Sequence, residues 1–251
     1  KPEEISFANI WGVCDEDMYK KAINVMNEES KTNKSFFNHI MTVSNHRPFT
    51  YPDGKIDIAS DKKSRKGGVK YTDYALRNFF KMAEKQPWFK NTVFVILADH
   101  CASSSGKTEL PVEKYRIPAM IYSPGFISPS RNNTMMSQID VMPTLFSLLN
   151  FKYECKFYGQ DVFSKDYKPR ALIATYQDLG LIKDDVLTII SPVKKAKQFK
   201  LLLKDNNLKD GKIHILYEEK IMKQPRVDLI NETISYYQTA AKILDEKNYD
   251  K

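Results

Sequence analysis

No stretch of this 251-residue chain approaches about 18 consecutive apolar residues, so nothing in it reads as a transmembrane helix. The N-terminus, Lys-Pro-Glu-Glu-Ile, is neither a signal peptide nor an initiator methionine. The expectation is a piece of a longer protein. Cysteine is scarce: Cys14, Cys101 and Cys155 lie far apart, form no CxxC and, as an odd number, cannot all pair within the chain. They say little about the redox compartment. No Lys/Arg stripe is interleaved with aromatics, so no nucleic-acid partner is expected. Internal repeats and low-complexity tracts are missing as well. Nothing sets an oligomeric state.

What is present is an ordinary globular composition, 42% hydrophobic and 12% aromatic, with 39 Lys+Arg against 31 Asp+Glu for a net charge of +8. A chain of this length can bury a full core as one α/β domain or as two smaller ones. The positive balance favours anionic partners such as phosphate-bearing substrates or lipid headgroups.

The chain is organised around Asn91 to Lys107. An unbroken apolar run, Val93 to Ala98, ends in Asp99-His100 and then a loop of small residues. Such a run predicts a strand buried on both faces of a parallel sheet. In such sheets ligands sit beyond the carboxyl ends of the strands, where Asp99 and His100 emerge. A carboxylate beside an imidazole there suits a divalent ion such as Zn²⁺ or Mn²⁺. Taken alone, an Asp-His pair is more often a strand-end Asp capping the next turn with His as a neighbour.

Upstream, Asp15 is placed as the N-cap of a helix with Met18, Ala22, Val25 and Met26 inward. Asn27 to Lys34 is a polar loop. Phe36 to Val43 is a buried strand ending in the polar cluster Ser44-Asn-His-Arg-Pro-Phe49, so His46 is placed at a second strand end. Tyr51 to Gly68 is a long surface loop. Asp73 starts a helix with Leu76, Phe79, Phe80 and Ala83 inward, ending before Pro87. Downstream, Ile117 to Tyr122 is a strand, and Asp140 caps a helix whose face is Val141, Leu145, Leu148 and Leu149. The tail reads as short strands (171–177, 186–191, 199–204, 212–217), a hairpin connection at Asp205–Gly211, and a helix from Val227 to Leu244 with Ile230, Ile234, Tyr237, Ala241 and Leu244 on one face. His39 and His214 read as structural.

The expected fold is therefore α/β: a doubly wound, mostly parallel sheet with helices on both faces, over residues 1–170. A small antiparallel subdomain with a terminal helix, 171–251, packs on it.

Six stretches carry a resemblance: Trp11-Gly-Val-Cys-Asp-Glu-Asp17, Thr42-Val-Ser-Asn-His-Arg-Pro-Phe49, Val95-Ile-Leu-Ala-Asp-His100, Tyr115-Arg-Ile-Pro-Ala-Met-Ile-Tyr-Ser-Pro-Gly125, Gln138-Ile-Asp-Val-Met-Pro-Thr-Leu145 and Tyr158-Gly-Gln-Asp-Val-Phe163. In this order, across residues 5–165, they resemble the C-terminal half of the catalytic domain of lipoteichoic acid synthase-like sulfatases, in the alkaline phosphatase superfamily. The resemblance implies an extracytoplasmic, membrane-anchored bacterial phosphotransferase or phosphodiesterase. Its substrates would be phosphoglycerol- or phosphoethanolamine-type lipid headgroups, attacked through a covalent phospho-threonine. Asp99 and His100 match the family's metal pair, with Mn²⁺ first and Zn²⁺, Mg²⁺ or Ca²⁺ as alternatives. His46 matches the histidine that holds the substrate phosphate, and Trp11 falls where the headgroup pocket is lined. Asp140 and Thr144 match a stretch with a packing and capping role. The nucleophilic Thr, a further acidic metal ligand and the anchoring helices are expected upstream of Lys1. Two alternatives stay open: a sulfatase on sulfated glycans, whose CxPxR signature is not in the chain, and a non-catalytic anion-binding domain of the same fold.

Overall fold

The computed structural model describes residues 2–102, 109–156, 158–193, 195–209 and 212–247, with backbone alone at 205–209 and 212–215. The predicted small-residue loop after Cys101 lies mostly outside the described residues, as do the side chain of His214 and the last two residues of the predicted 205–211 connection, whose residues 205–209 are strand. The chain forms two compact units, Lys1–Val95 with Met120–Pro129, and Ile96–Ala119 with Ser130–Lys251.

The first unit opens with a two-stranded antiparallel hairpin, β1 (Ala8–Asn9) and β2 (Gly12–Val13), followed by helix α1 (Asp15–Ser30). Asp15, Glu16 and Asp17 fill the first turn of α1, where the helix dipole favours negative charge. Asp15 is thus the first helical residue rather than the N-cap, which is Cys14. The buried face is Tyr19, Ile23 and Met26, while Val25 is 38% exposed. This is one residue round from the predicted stripe, because Tyr19 turns inward to meet Phe79, with ring centroids 4.9 Å apart.

Helix α2 (Arg65–Ala83) starts well before the predicted Asp73, with Ser64 as N-cap accepting from Gly67 N–H at 3.1 Å. The pair Gly67-Gly68 reads as loop in sequence, yet it lies in the first turn because the chain passes close by. A Cβ at Gly67 would lie 2.2 Å from Tyr51 Oη. Tyr71, Ala75, Phe79 and Ala83, each four apart, are buried against α1 and the aromatic cluster of Trp88, Phe89 and Phe94.

The predicted strand at Phe36–Val43 does not form a ladder. Its backbone is extended, but Val43 N–H donates to the Asp15 carboxylate rather than to a neighbouring strand, and Phe37 and Met41 are 76% and 54% exposed. The central run is also shorter and drier on one side only: β3 (Phe94–Leu97) buries Phe94 among Phe79, Phe80, Phe89 and Tyr122 but leaves Val95 37% exposed. β3 and β4 (Ala119–Tyr122) form a two-stranded sheet.

In the second unit a short 3-10 turn runs into α3 (Val141–Leu148). A five-stranded antiparallel sheet follows, in the order β5 (Ala171–Ala174), β6 (Leu179–Lys183), β7 (Val186–Ser191), β8 (Lys195–Lys209), β9 (Lys212–Ile221). β6 escapes the sequence reading because Gly180, Leu181 and Ile182 are all buried and show no alternation. Leu110, Val112, Ile173, Leu187 and Leu201 make the core of this unit. Helix α4 (Val227–Asp245) lies on β6 and β7, buried through Leu229 and Thr233, one residue off the predicted stripe. Tyr237 donates its hydroxyl to the carbonyls of Ile173 and Gly180 at 2.9 and 3.0 Å, and Lys183 grips Glu232 at 2.7 Å.

A wholly buried ion pair ties α3 to the sheet. Arg170 reaches both Asp140 oxygens at 2.9 and 3.0 Å and the Tyr158 carbonyl at 2.9 Å. Asp140 also accepts from Ser137 N–H and Gln160 N–H at 2.8 Å and from Tyr167 Oη at 3.0 Å. Asp140 is the N-cap position of α3, as expected, but its side chain turns back into a reciprocal capping box with Ser137, the N-cap of the 3-10 turn. Arg170→Met strands a carboxylate in the interior and is expected to cost about 3–5 kcal/mol. Denaturant unfolding measures it, and a change below about 1 kcal/mol would show that the pair does not hold the unit together.

Candidate functional site

Two pairs of chemistry-bearing side chains are assembled, one in each unit. In the first unit the β1–β2 turn presents Trp11, half exposed, against the exposed imidazole of His46. Their ring centroids are 3.8 Å apart and their planes tilted by 45°. One backbone oxygen sets both rings: the Arg47 carbonyl accepts from Trp11 Nε1 at 2.6 Å and lies 2.9 Å from His46 Nδ1. A carbonyl only accepts, so Nδ1 carries the proton and Nε2 is the nitrogen offered outward. Asn9 completes the mount, accepting from Trp11 N–H at 2.8 Å and donating to Thr50 Oγ1 at 3.2 Å.

The segment bearing His46 is held by α1. Asp15, fully buried, accepts from Val43 N–H and Ser44 N–H at 3.0 Å each, while Asp15 N–H donates to Ser44 Oγ at 3.1 Å. The next two carboxylates fix other segments. Glu16 accepts from Tyr71 Oη at 3.1 Å, and Asp17 accepts from Ser6 N–H and Ser6 Oγ at 2.5 and 2.8 Å. His46 therefore sits in a turn clamped by a helix N-terminus, not at a strand end. The sequence places Asp15 in a cap and does not reveal this clamp.

In the second unit Asp99 and His100 emerge just past the end of β3, both largely exposed, with Asp99 Oδ2 and His100 Nε2 3.4 Å apart. Asp99 Oδ1 accepts from His100 N–H at 2.9 Å. His100 Nδ1 is 2.7 Å from the Cys101 carbonyl, which again makes it the donor and leaves Nε2 with its lone pair. Asp99 Oδ2 and His100 Nε2 thus pair with each other, and neither is tied to the backbone. Gln138 steadies this loop by donating to the carbonyls of Ala98 and Asp99 at 3.1 and 2.9 Å. Gln138 opens a stretch that the sequence singles out, but this role has no sequence signature.

The donor set fits a divalent cation: a carboxylate oxygen and an imidazole nitrogen whose other nitrogen is tied to a backbone carbonyl, the usual arrangement at metal-bound histidine. Among the described residues no group of three or more His, Cys, Asp or Glu side chains is placed to hold an ion. Cys14 is buried and Cys155 exposed, both as free thiols, as is Cys101.

The model of the sulfatase family matches residues 2–151. This chain belongs to the sulfatase family. The family chain is similar to the lipoteichoic acid synthase-like protein YvgJ of Bacillus subtilis, 26% identical over 186 residues covering 65% of this chain and 30% of that protein. It is likewise similar to lipoteichoic acid synthase of Staphylococcus aureus, 28% identical over 179 residues covering 62% of this chain and 27% of that one. Among solved structures, a Vibrio parahaemolyticus protein of the alkaline phosphatase superfamily superposes with a TM-score of 0.83 and 30% identity, covering 98% of this chain and 58% of that one. The lipoteichoic acid synthase LtaP of Listeria monocytogenes gives a TM-score of 0.54 at 25% identity, covering 77% of this chain and 54% of LtaP. The sulfatase-family chain therefore has the expected α/β fold of the alkaline phosphatase superfamily, with an antiparallel sheet in its C-terminal part. It spans about 30% of the length of the curated relatives it matches. No described helix is long and apolar enough to cross a membrane.

Asp17 supplies a pH test of the mount. Burial pushes its carboxyl up, but donors from Ser6, Cys14 and Phe7 outweigh this and hold it below the usual range. The folded value is depressed, so the contribution is present above the ordinary carboxylate pKa of about 3.9 and is lost as pH falls through the folded value. The Ser6–Phe7 anchor of the β1–β2 hairpin is thus expected to loosen in acid. The Trp11 indole N–H resonance should report this below about pH 4, and Asp17→Asn should remove the acid transition.

Proposed function

We propose that this chain supplies the metal pair and the phosphate-binding histidine of a metal-dependent phosphotransferase or phosphodiesterase. The substrates would be phosphodiester-linked lipid headgroups, of phosphoglycerol or phosphoethanolamine type, at the extracytoplasmic face of a bacterial membrane. The observation that carries this reading is the matched orientation of His100 and Asp99, each with one atom tied to the local backbone and the other 3.4 Å from its neighbour's. Support comes from the sulfatase-family match and from relatives named as lipoteichoic acid synthases.

Asp99 and His100 would hold the ion, Mn²⁺ first. When bound, the ion would neutralise phosphoryl oxygens and lower the pKa of an attacking hydroxyl. The chain's own residues bind and orient. His46 Nε2, aimed outward by the Arg47 carbonyl, would donate a hydrogen bond to a phosphate oxygen when protonated. Trp11 offers an indole face beside it for the apolar part of a headgroup. The phosphoryl-accepting Thr is proposed to lie outside these 251 residues.

In the whole protein, His100→Ala should abolish Mn²⁺ retention measured by elemental analysis, and unchanged stoichiometry would remove the metal assignment. His46→Ala should keep the metal and lower turnover of bis(p-nitrophenyl) phosphate by about 100-fold or more. Loss of metal in that variant would mean that His46 is a ligand. Turnover of p-nitrophenyl sulfate but not of the phosphodiester would assign a sulfatase. Anion binding without turnover of either would assign a non-catalytic domain.

A further inference from the structure

The antiparallel topology gathers two hairpin turns at one end of the C-terminal sheet, and both carry apolar side chains into solvent. The β5–β6 turn presents Tyr176, 101% exposed, and the β7–β8 turn presents Val193, 88% exposed. A hydrogen bond from Ser191 Oγ to Asp178 Oδ1 at 2.5 Å links the two turns, so the tips form one surface. Val193 also has φ +63°. That left-handed conformation is strained for a β-branched residue and is ordinarily taken by Gly, Asn or Asp. A turn that keeps valine in this conformation, with the side chain in water, gives up stability that a cheaper residue would recover. An observed outlier of this kind is a pointer to function.

The flanking charge says what the tips meet. Lys195, the first residue of β8, and Lys197 are exposed beside the Val193 turn, Lys197 also pairing with Glu109. An amphipathic tyrosine, a protruding valine and adjacent lysines match a bilayer interface, where aromatic rings sit at headgroup level and ammonium groups meet anionic lipid. We propose that this end of the sheet docks on an anionic phospholipid surface, with Tyr176 and Val193 entering the headgroup region and Lys195 and Lys197 contacting lipid phosphates. The inference rests on the C-terminal sheet alone and is independent of the metal pair.

The test uses the intact 251-residue chain and vesicles of either pure phosphatidylcholine or phosphatidylcholine with phosphatidylglycerol. Cosedimentation is expected to be at least about fivefold greater with the anionic vesicles, and to fall about tenfold in the double variant Tyr176→Ser, Val193→Asn through loss of buried apolar area. Val193→Asn relieves the strained turn, so its melting temperature should equal or exceed that of the unaltered chain, and weaker binding cannot then be ascribed to misfolding. A Tyr176→Trp reporter should shift its emission to the blue on anionic vesicles beyond the response of Trp11 and Trp88. Equal cosedimentation of the double variant, or an unshifted reporter, would overturn the proposal. Binding to neither vesicle would overturn it as well, whatever the outcome of the metal and turnover assays.

Discussion

The first unit depends on a helix N-terminus crowded with negative charge. Asp15, Glu16 and Asp17 occupy consecutive positions where the dipole of α1 offsets the cost of burying carboxylates. Each then takes hold of a different part of the chain. Asp15 accepts the backbone donors of Val43 and Ser44, Glu16 the Tyr71 hydroxyl of α2, and Asp17 the backbone and hydroxyl of Ser6. Three side chains at one point thereby hold three segments remote in sequence. Charged acceptors suit the task because bonds to ionised groups are about twice as strong as neutral ones. The second unit solves its own version with one carboxylate. Asp140 collects Arg170, Tyr167, Ser137 and Gln160 around the start of α3.

This arrangement explains how exposed functional groups can be held in fixed directions. His46 and Trp11 are solvent-facing, yet both rings are anchored through backbone that a buried carboxylate or a side-chain amide pins in place. Asp99 and His100 are treated likewise, with Gln138 gripping the carbonyls just before and at Asp99. Preorganisation of this kind lowers the ordering cost when a ligand arrives.

Much of this was legible in the residues. The helices were readable from their 3.6-residue periodicity, and β7 and α4 fall where the pattern puts them. Asp99-His100 stands out in the sequence because an apolar run ends abruptly in a carboxylate and an imidazole, and the structure places both just past β3. The failures share a physical cause: a local pattern does not say which partner a backbone group will find. Phe36–Val43 has strand composition, but its donors were claimed by Asp15. Gly67-Gly68 reads as the end of the 51–68 surface loop, whereas it lies in the first turn of α2, where glycine admits Tyr51. The inward faces of α1 and α4 were each misjudged by one residue, because an aromatic ring or a buried threonine, rather than the most apolar stripe, faces the core. Arg170, the counter-ion of Asp140, has no sequence neighbour to announce it.

The Arg47 carbonyl has a further meaning for how such a site can change over time. The atom that orients Trp11 and His46 belongs to the main chain, and every amino acid supplies it. The side chain at position 47 is exposed and makes none of these bonds. Ring geometry and side-chain identity are therefore uncoupled at that position. A lineage could exchange Arg47 for another residue, retuning the charge beside the imidazole, without disturbing the scaffold that aims it.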